Sequence, residues 1–319
     1  MAKLFKKNDI SKIMVLVLAT AVILTSGLLK IYSSKSNEAT GVSPDSSNKN
    51  INATAVKADK NPAQINSTSL EDSVKITKNS KAQIDVSNFK VSSDIESLIT
   101  SSDKVSAQKN IQNFKKLLKG LDVSDKNMTE FTALMKKGHK IKDAMIAYEY
   151  LYENYGLISE LEGLVKSKES GKTWAQAFVN YNKEHKEFVP TSFKPGYLEE
   201  IMKDPNITID DVMNADRISQ KGLEKFENII KAKKEGKTWE GISSSLGLVN
   251  TSEKLPRVAI SDVQVDKYQK SMGLTKQQVI DTLVIAGKLG EDDATILQKV
   301  KAGSKREDIL AQYYEKKYN

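Results

Sequence analysis

The sequence predicts an all-α domain carried behind an N-terminal transmembrane helix and a flexible tether. Three observations lead there. A basic and then apolar stretch opens the chain, a polar stretch without hydrophobic period follows, and from about residue 94 apolar residues recur at helical spacing. Within the helical part, Gly-Lys-Thr-Trp occurs twice, at 171–174 and 236–239.

The first element is "MAKLFKKNDISK", which sets Lys3, Lys6, Lys7 and Lys12 ahead of "IMVLVLATAVILTSGLL" at 13–29. Those 17 uncharged residues would form a helix of about 25 Å, just short of a hydrocarbon core. Ile31 and Tyr32 lengthen it, and Lys12 and Lys30 can snorkel. The basic flank holds the N-terminus in the cytoplasm. The expected order is a cytoplasmic tail at 1–12, a signal-anchor at 13–32, and everything beyond on the outer side. Thr25-Ser26-Gly27 offers a small-residue site at which the segment would instead be cleaved as a signal peptide, giving a secreted chain.

The second element, 33–93, is rich in Ser, Asn and Lys. Its hydrophobic residues are too few to offset the entropy of ordering it, so it reads as a flexible tether. The first 41 residues of it, 33–73, would span about 35 Å as a coil. Alternation of Val74, Ile76, Ile84 and Val86 suggests short extended pieces near its end.

Composition narrows the chemistry. The 319 residues include no cysteine, which excludes disulfides, thiol catalysis and a lipid-modified N-terminal Cys. Two histidines, His139 and His185, are too few for a His-built metal centre, and both read as surface residues. No Walker-type loop, dinucleotide glycine fingerprint or HExxH is present, so no cofactor is expected. Net charge is uneven. Residues 1–92 carry 13 Lys/Arg against 7 Asp/Glu, a net +6, and 93–319 carry 36 against 34, a net +2. The helical part is close to balanced, and no nucleic-acid partner is expected.

The third element is the helical domain, 94–319. Ile111, Phe114, Leu117 and Leu118 share one helix face ahead of Gly120. Leu161, Leu164 and Val165 precede Gly171 at the same offsets at which Phe226, Ile229 and Ile230 precede Gly236. In each corner the glycine suits a left-handed helix end, and Thr173 or Thr238 suits the N-cap of the next helix. Gln176 gives Thr173 a capping-box partner. Trp174 and Trp239 then open the new helix and fold back on the old one. Weaker corners follow the same template, placing the series at 138, 171, 206, 236, 273 and 303. That is one helical pair every 65 to 68 residues, a period suited to helical-hairpin repeats packed as an irregular bundle or short solenoid. The Pro-bearing segments 189–200 and 246–267 interrupt it.

The corner with its preceding helix resembles a repeat of poorly characterised, exported or membrane-anchored proteins of Gram-positive bacteria, written roughly Gly-Lys-Ser/Thr-Trp-x-x-Ile after a leucine-rich helix. The closest matches are 161–178 and 226–242, and 296–310 is weaker because Arg306 replaces the Trp. The resemblance covers about a third of the chain. It implies a helical fold in the cell envelope and no named activity.

The functional expectation is a non-enzymatic, membrane-anchored envelope protein that binds or scaffolds a protein partner through its helical domain. A cell-wall glycan-binding or glycan-cleaving protein is the alternative. Trp174, Trp239, Tyr148 and Tyr152 are the candidate stacking residues, and "ESG" at 169–171 resembles the Glu-Ser-Gly signature of lysozyme-like transglycosylases, in which the Glu, here Glu169, is the general acid, although the downstream part of that signature is missing. A helix-turn-helix regulator is a third possibility, because 234–255 resembles the first half of that motif.

Overall fold

The computed structural model describes residues 84–194, 196–253 and 255–319. The expected anchor at 13–32 and most of the tether lie outside the described residues. Among the described residues no helix is long and apolar enough to cross a membrane.

The described chain is all-helical. After an extended lead at 84–92, four helices run in close succession: α1 (Ser93–Ser102), α2 (Ala107–Gly120), α3 (Asp125–Lys136) and α4 (Ile141–Glu153). A 3-10 turn at Ile158–Glu160 leads to α5 (Leu161–Glu169) and α6 (Trp174–Glu184). The next group is α7 (Tyr197–Ile201), α8 (Ile209–Gln220), α9 (Phe226–Lys234) and α10 (Trp239–Ser245). The last is α11 (Asp262–Met272), α12 (Lys276–Leu289), α13 (Asp293–Lys301) and α14 (Arg306–Tyr318).

The corners follow one rule. Helices start at 141, 174, 209, 239, 276 and 306, three residues after each corner residue. Gly138, Gly171, Gly236, Gly273 and Gly303 all have φ between +71° and +96°, where a Cβ would be strained. Asn206 is the exception: its backbone is not left-handed, and an Asp204 turn takes the place of the glycine, with Asn206 N–H donating to Asp204 Oδ1 at 3.0 Å. Thr173, Thr208, Thr238 and Thr275 each cap the following helix through the side chain. At Thr173 the box is reciprocal: Thr173 N–H donates to Gln176 Oε1 at 2.9 Å and Gln176 N–H to Thr173 Oγ1 at 3.2 Å.

Grouped by these corners, the helices fall into three units of three: α4–α6, α8–α10 and α12–α14. Two antiparallel backbone bonds stitch the first unit to the second, Ile158 N–H to Gly247 O and Val249 N–H to Gly156 O, both 2.9 Å. The third unit splits. Its α12 packs on α13, whereas α14 packs across on α6 and α4 of the first unit. Ile309, Leu310, Ala311, Tyr314 and Tyr318 of α14 thereby join the largest core, built mainly by α1–α6. A linear stack, in which each unit touches only its neighbours, would not make this contact. Separate cores lie within α7–α10 and within α11–α13.

Candidate functional site

The aromatic residues proposed for stacking are placed first. Trp174 and Trp239 are each 1% exposed and Tyr148 is 0% exposed, so none offers a ring face to a sugar. Tyr148 packs on Phe131 and accepts a hydrogen bond from Asn127 Nδ2 at 3.0 Å. Tyr152 is half-buried. Tyr155 lies beyond the end of α4 in a left-handed conformation (φ +52°). Each buried indole carries a lysine from the helix just ended, Lys168 Nζ 6.0 Å from the Trp174 ring and Lys233 Nζ 5.2 Å from the Trp239 ring.

The two histidines depart from the surface reading. His139 is buried, because the left-handed Gly138 turns the chain inward and α5 returns alongside it, bringing both Glu169 oxygens to 2.9 Å from Nδ1. Glu169 is thus a histidine partner at a helix end. His185 is half-buried and stacks on Tyr181, ring centroids 3.8 Å apart. Its two nitrogens face acceptors, Tyr181 O at 2.7 Å and Glu160 Oε1 at 2.6 Å. Glu160 also accepts from Leu157 N–H and Tyr181 Oη–H, both at 2.8 Å. Glu160 thus ties His185, Tyr181 and the Leu157 N–H together. Burial, and after it Glu160, raises the Tyr181 hydroxyl above its ordinary value. After α10 the described residues form no helix until Asp262, so no recognition helix stands where the helix-turn-helix reading needs one.

The feature that sequence reasoning missed is a polar cavity of about 560 Å³ where the three units meet. The end of α4 supplies Glu153 and Asn154, α6 supplies Tyr181 and Asn182, the segment after it supplies 185–189, the end of α8 supplies Arg217, Gln220 and the following Lys221, and α14 supplies Arg306 and Glu307. Its outer wall is tied down. Gln220 bonds the Val189 backbone twice, Nε2 to O at 2.6 Å and Oε1 from N–H at 3.3 Å. Asp216 accepts from Thr191 N–H at 2.8 Å and Thr191 Oγ1 at 2.6 Å.

Arg217 lies deepest. Its guanidinium carbon is 4.4 Å from the Phe188 ring centroid and 4.7 Å from that of Tyr155, and its Nε is buried without a partner. Desolvation lowers its pKa from the usual guanidinium value. Desolvation likewise lowers Lys221, with Glu160 pulling back and Arg217 repelling. Arg306 Nη2 reaches only Asn154 Oδ1, at 3.4 Å. Among the described residues no carboxylate lies within 4.0 Å of any of these three cations. Glu153 is engaged by Lys288 at 3.0 Å and Glu307 by Asn182 Nδ2 at 2.7 Å. At the rim, burial raises Glu187.

Asp281 of α12 lies within electrostatic range of Arg306, and burial pushes its carboxyl up to about 6 from the ordinary 3.8 despite a 2.8 Å bond from Gln277 Nε2. The fold therefore holds this proton more tightly than the unfolded chain does. That lowers stability as pH rises from about 4 to about 6, with no further change above. Asp281→Asn removes the loss. Urea midpoints of parent and variant are expected to diverge over this window in the variant's favour; parallel midpoints would contradict the burial of Asp281.

Two signals in the sequence point to the cavity. Only three of the 49 basic residues are arginine, Arg217, Arg257 and Arg306, and two of them meet here. Arg306 also occupies the position of Trp174 and Trp239 in its own corner. Among the described residues no three His, Asp or Glu side chains gather to hold a metal ion. Comparison with protein families, with characterised proteins and with solved structures finds no match for this chain.

Proposed function

We propose that this chain is a non-enzymatic binding or scaffold protein of a bacterial envelope, held by its N-terminal helix and acting through the helical domain on the outer side of the membrane. The supporting observation is the cavity at the junction of the three units, walled by a tied-down loop and holding Arg217, Lys221 and Arg306 with no carboxylate of the described residues within 4.0 Å. Such a concave site with a few convergent polar groups suits binding. Tyr181 and His185 of its lining are held by Glu160. On this reading the helical-hairpin repeats serve as a rigid frame and 33–93 as a spacer that sets its reach from the bilayer.

The experiment is to incubate the purified full chain with cell-wall glycan. The expected result is neither co-sedimentation nor release of sugar, since Trp174, Trp239 and Tyr148 present no stacking face. Saturable co-sedimentation would move the assignment to glycan binding, and sugar release would overturn the non-enzymatic reading.

A further inference from the structure

We propose that the junction cavity is a receptor site for the oxyanion, carboxylate or phosphate, of a small solute, clamped by Arg217, Lys221 and Arg306. The proposal rests on the binding-module reading and adds the chemical class of the ligand. Three cations from two repeat units share one cavity of about 560 Å³ with Glu153, Glu187 and Glu307, and among the described residues none of the three has a carboxylate within 4.0 Å, Glu153 being held by Lys288 and Glu307 by Asn182. The cost of gathering them is offset when an anion arrives. Arg217 is prepared for this: two aromatic rings pack on its guanidinium, and its Nε is buried with no partner. A guanidinium so fixed offers a planar fork that matches carboxylate and phosphate oxygens, which an ammonium does not.

Residue choice supports the same conclusion. In a chain that uses lysine almost everywhere, two of its three arginines are spent in this cavity. The corner at 303 carries Arg306 where those at 171 and 236 carry a buried indole, and that side chain lines the cavity. The volume is that of a metabolite-sized site rather than of a polymer groove. The broader depression on the other side of Tyr181 and His185 is lined by solvent-facing lysines such as Lys166 and Lys172, with no buried cation.

The test is isothermal titration of the full chain in detergent micelles, in about 0.15 M chloride so that attraction to exposed lysines is screened. Inorganic pyrophosphate and citrate are the probes, one for each oxyanion. At least one is expected to bind saturably, one per chain. Arg306→Gln and Lys221→Gln should each weaken it ten-fold or more, while Lys172→Gln on the exposed corner leaves it unchanged. The stronger probe identifies the source as phosphate or carboxylate. Both substitutions fall on side chains that are not fully buried, and thermal melts check that each variant folds; Lys221→Gln carries the test if Arg306→Gln does not. Absence of saturable binding by both probes, or binding indifferent to both substitutions, overturns the oxyanion site. Either result leaves the envelope-binding reading standing, because that is decided separately by glycan sedimentation and by topology.

Discussion

Trp239→Ala is expected to lower the unfolding free energy of the helical domain by about 3–5 kcal/mol in urea denaturation. The indole is 1% exposed and lies in the core of α7–α10, among Phe226, Ile229, Ile230 and Val212. Its removal deletes a large apolar surface and leaves a cavity that a short helix such as α10 cannot collapse to fill. It also takes away a 2.7 Å hydrogen bond from Nε1 to Asp211 Oδ1 and the ring beneath Lys233. Trp239→Phe separates the two contributions, retaining most of the packing and losing the bond, for an expected loss of about 1–2 kcal/mol. A change under about 0.5 kcal/mol for Trp239→Ala would mean that the indole is not packed as described.

The second large effect is expected from Asp211→Ala, again about 3–5 kcal/mol. Asp211 is 6% exposed and is the acceptor at which two corners meet. Its Oδ2 accepts from Thr208 N–H at 2.8 Å and Thr208 Oγ1–H at 2.6 Å, closing the N-terminal box of α8. Its Oδ1 accepts from Trp239 Nε1, and Lys233 Nζ stands 3.7 Å away with its side chain 12% exposed. Alanine would strand the indole N–H, open the reciprocal box at the start of α8, and leave Lys233 with only the exposed rim carboxylate Glu253, 3.5 Å away. Because the pair shares one bond, the Asp211→Ala and Trp239→Phe losses should fall short of additivity by about 1 kcal/mol in a double-mutant cycle. Additive losses would contradict the shared contact.

The contrast between corner and cavity explains what could be read from the residues. Glycine at φ near +90° and a threonine hydroxyl two positions later are local requirements, met within four or five residues, so Gly171–Thr173 and Gly236–Thr238 were legible as helix ends and starts. The inward turn of His139 was not, because it depends on α5 returning past the corner to present Glu169 from 30 residues away. The crossing of α14 to α6 and α4 is more remote still. Its apolar face predicts burial and says nothing of which helices cover it. The cavity follows from that crossing, since Arg306 reaches Asn154 from 152 positions along the chain. What the sequence does offer is Arg306 in the tryptophan position of the corner at 303, which weakens the repeat without showing what the side chain faces.

On the proposed topology the helical domain lies outside the cell on a membrane stub, and protease treatment of intact cells stripped of their wall tests this most directly, with the membranes fractionated afterwards. The account predicts that the domain is digested while an N-terminal fragment containing residues 13–32 stays with the membrane. A domain that survives until the cells are lysed would contradict it, placing the junction cavity and its arginines in the cytoplasm.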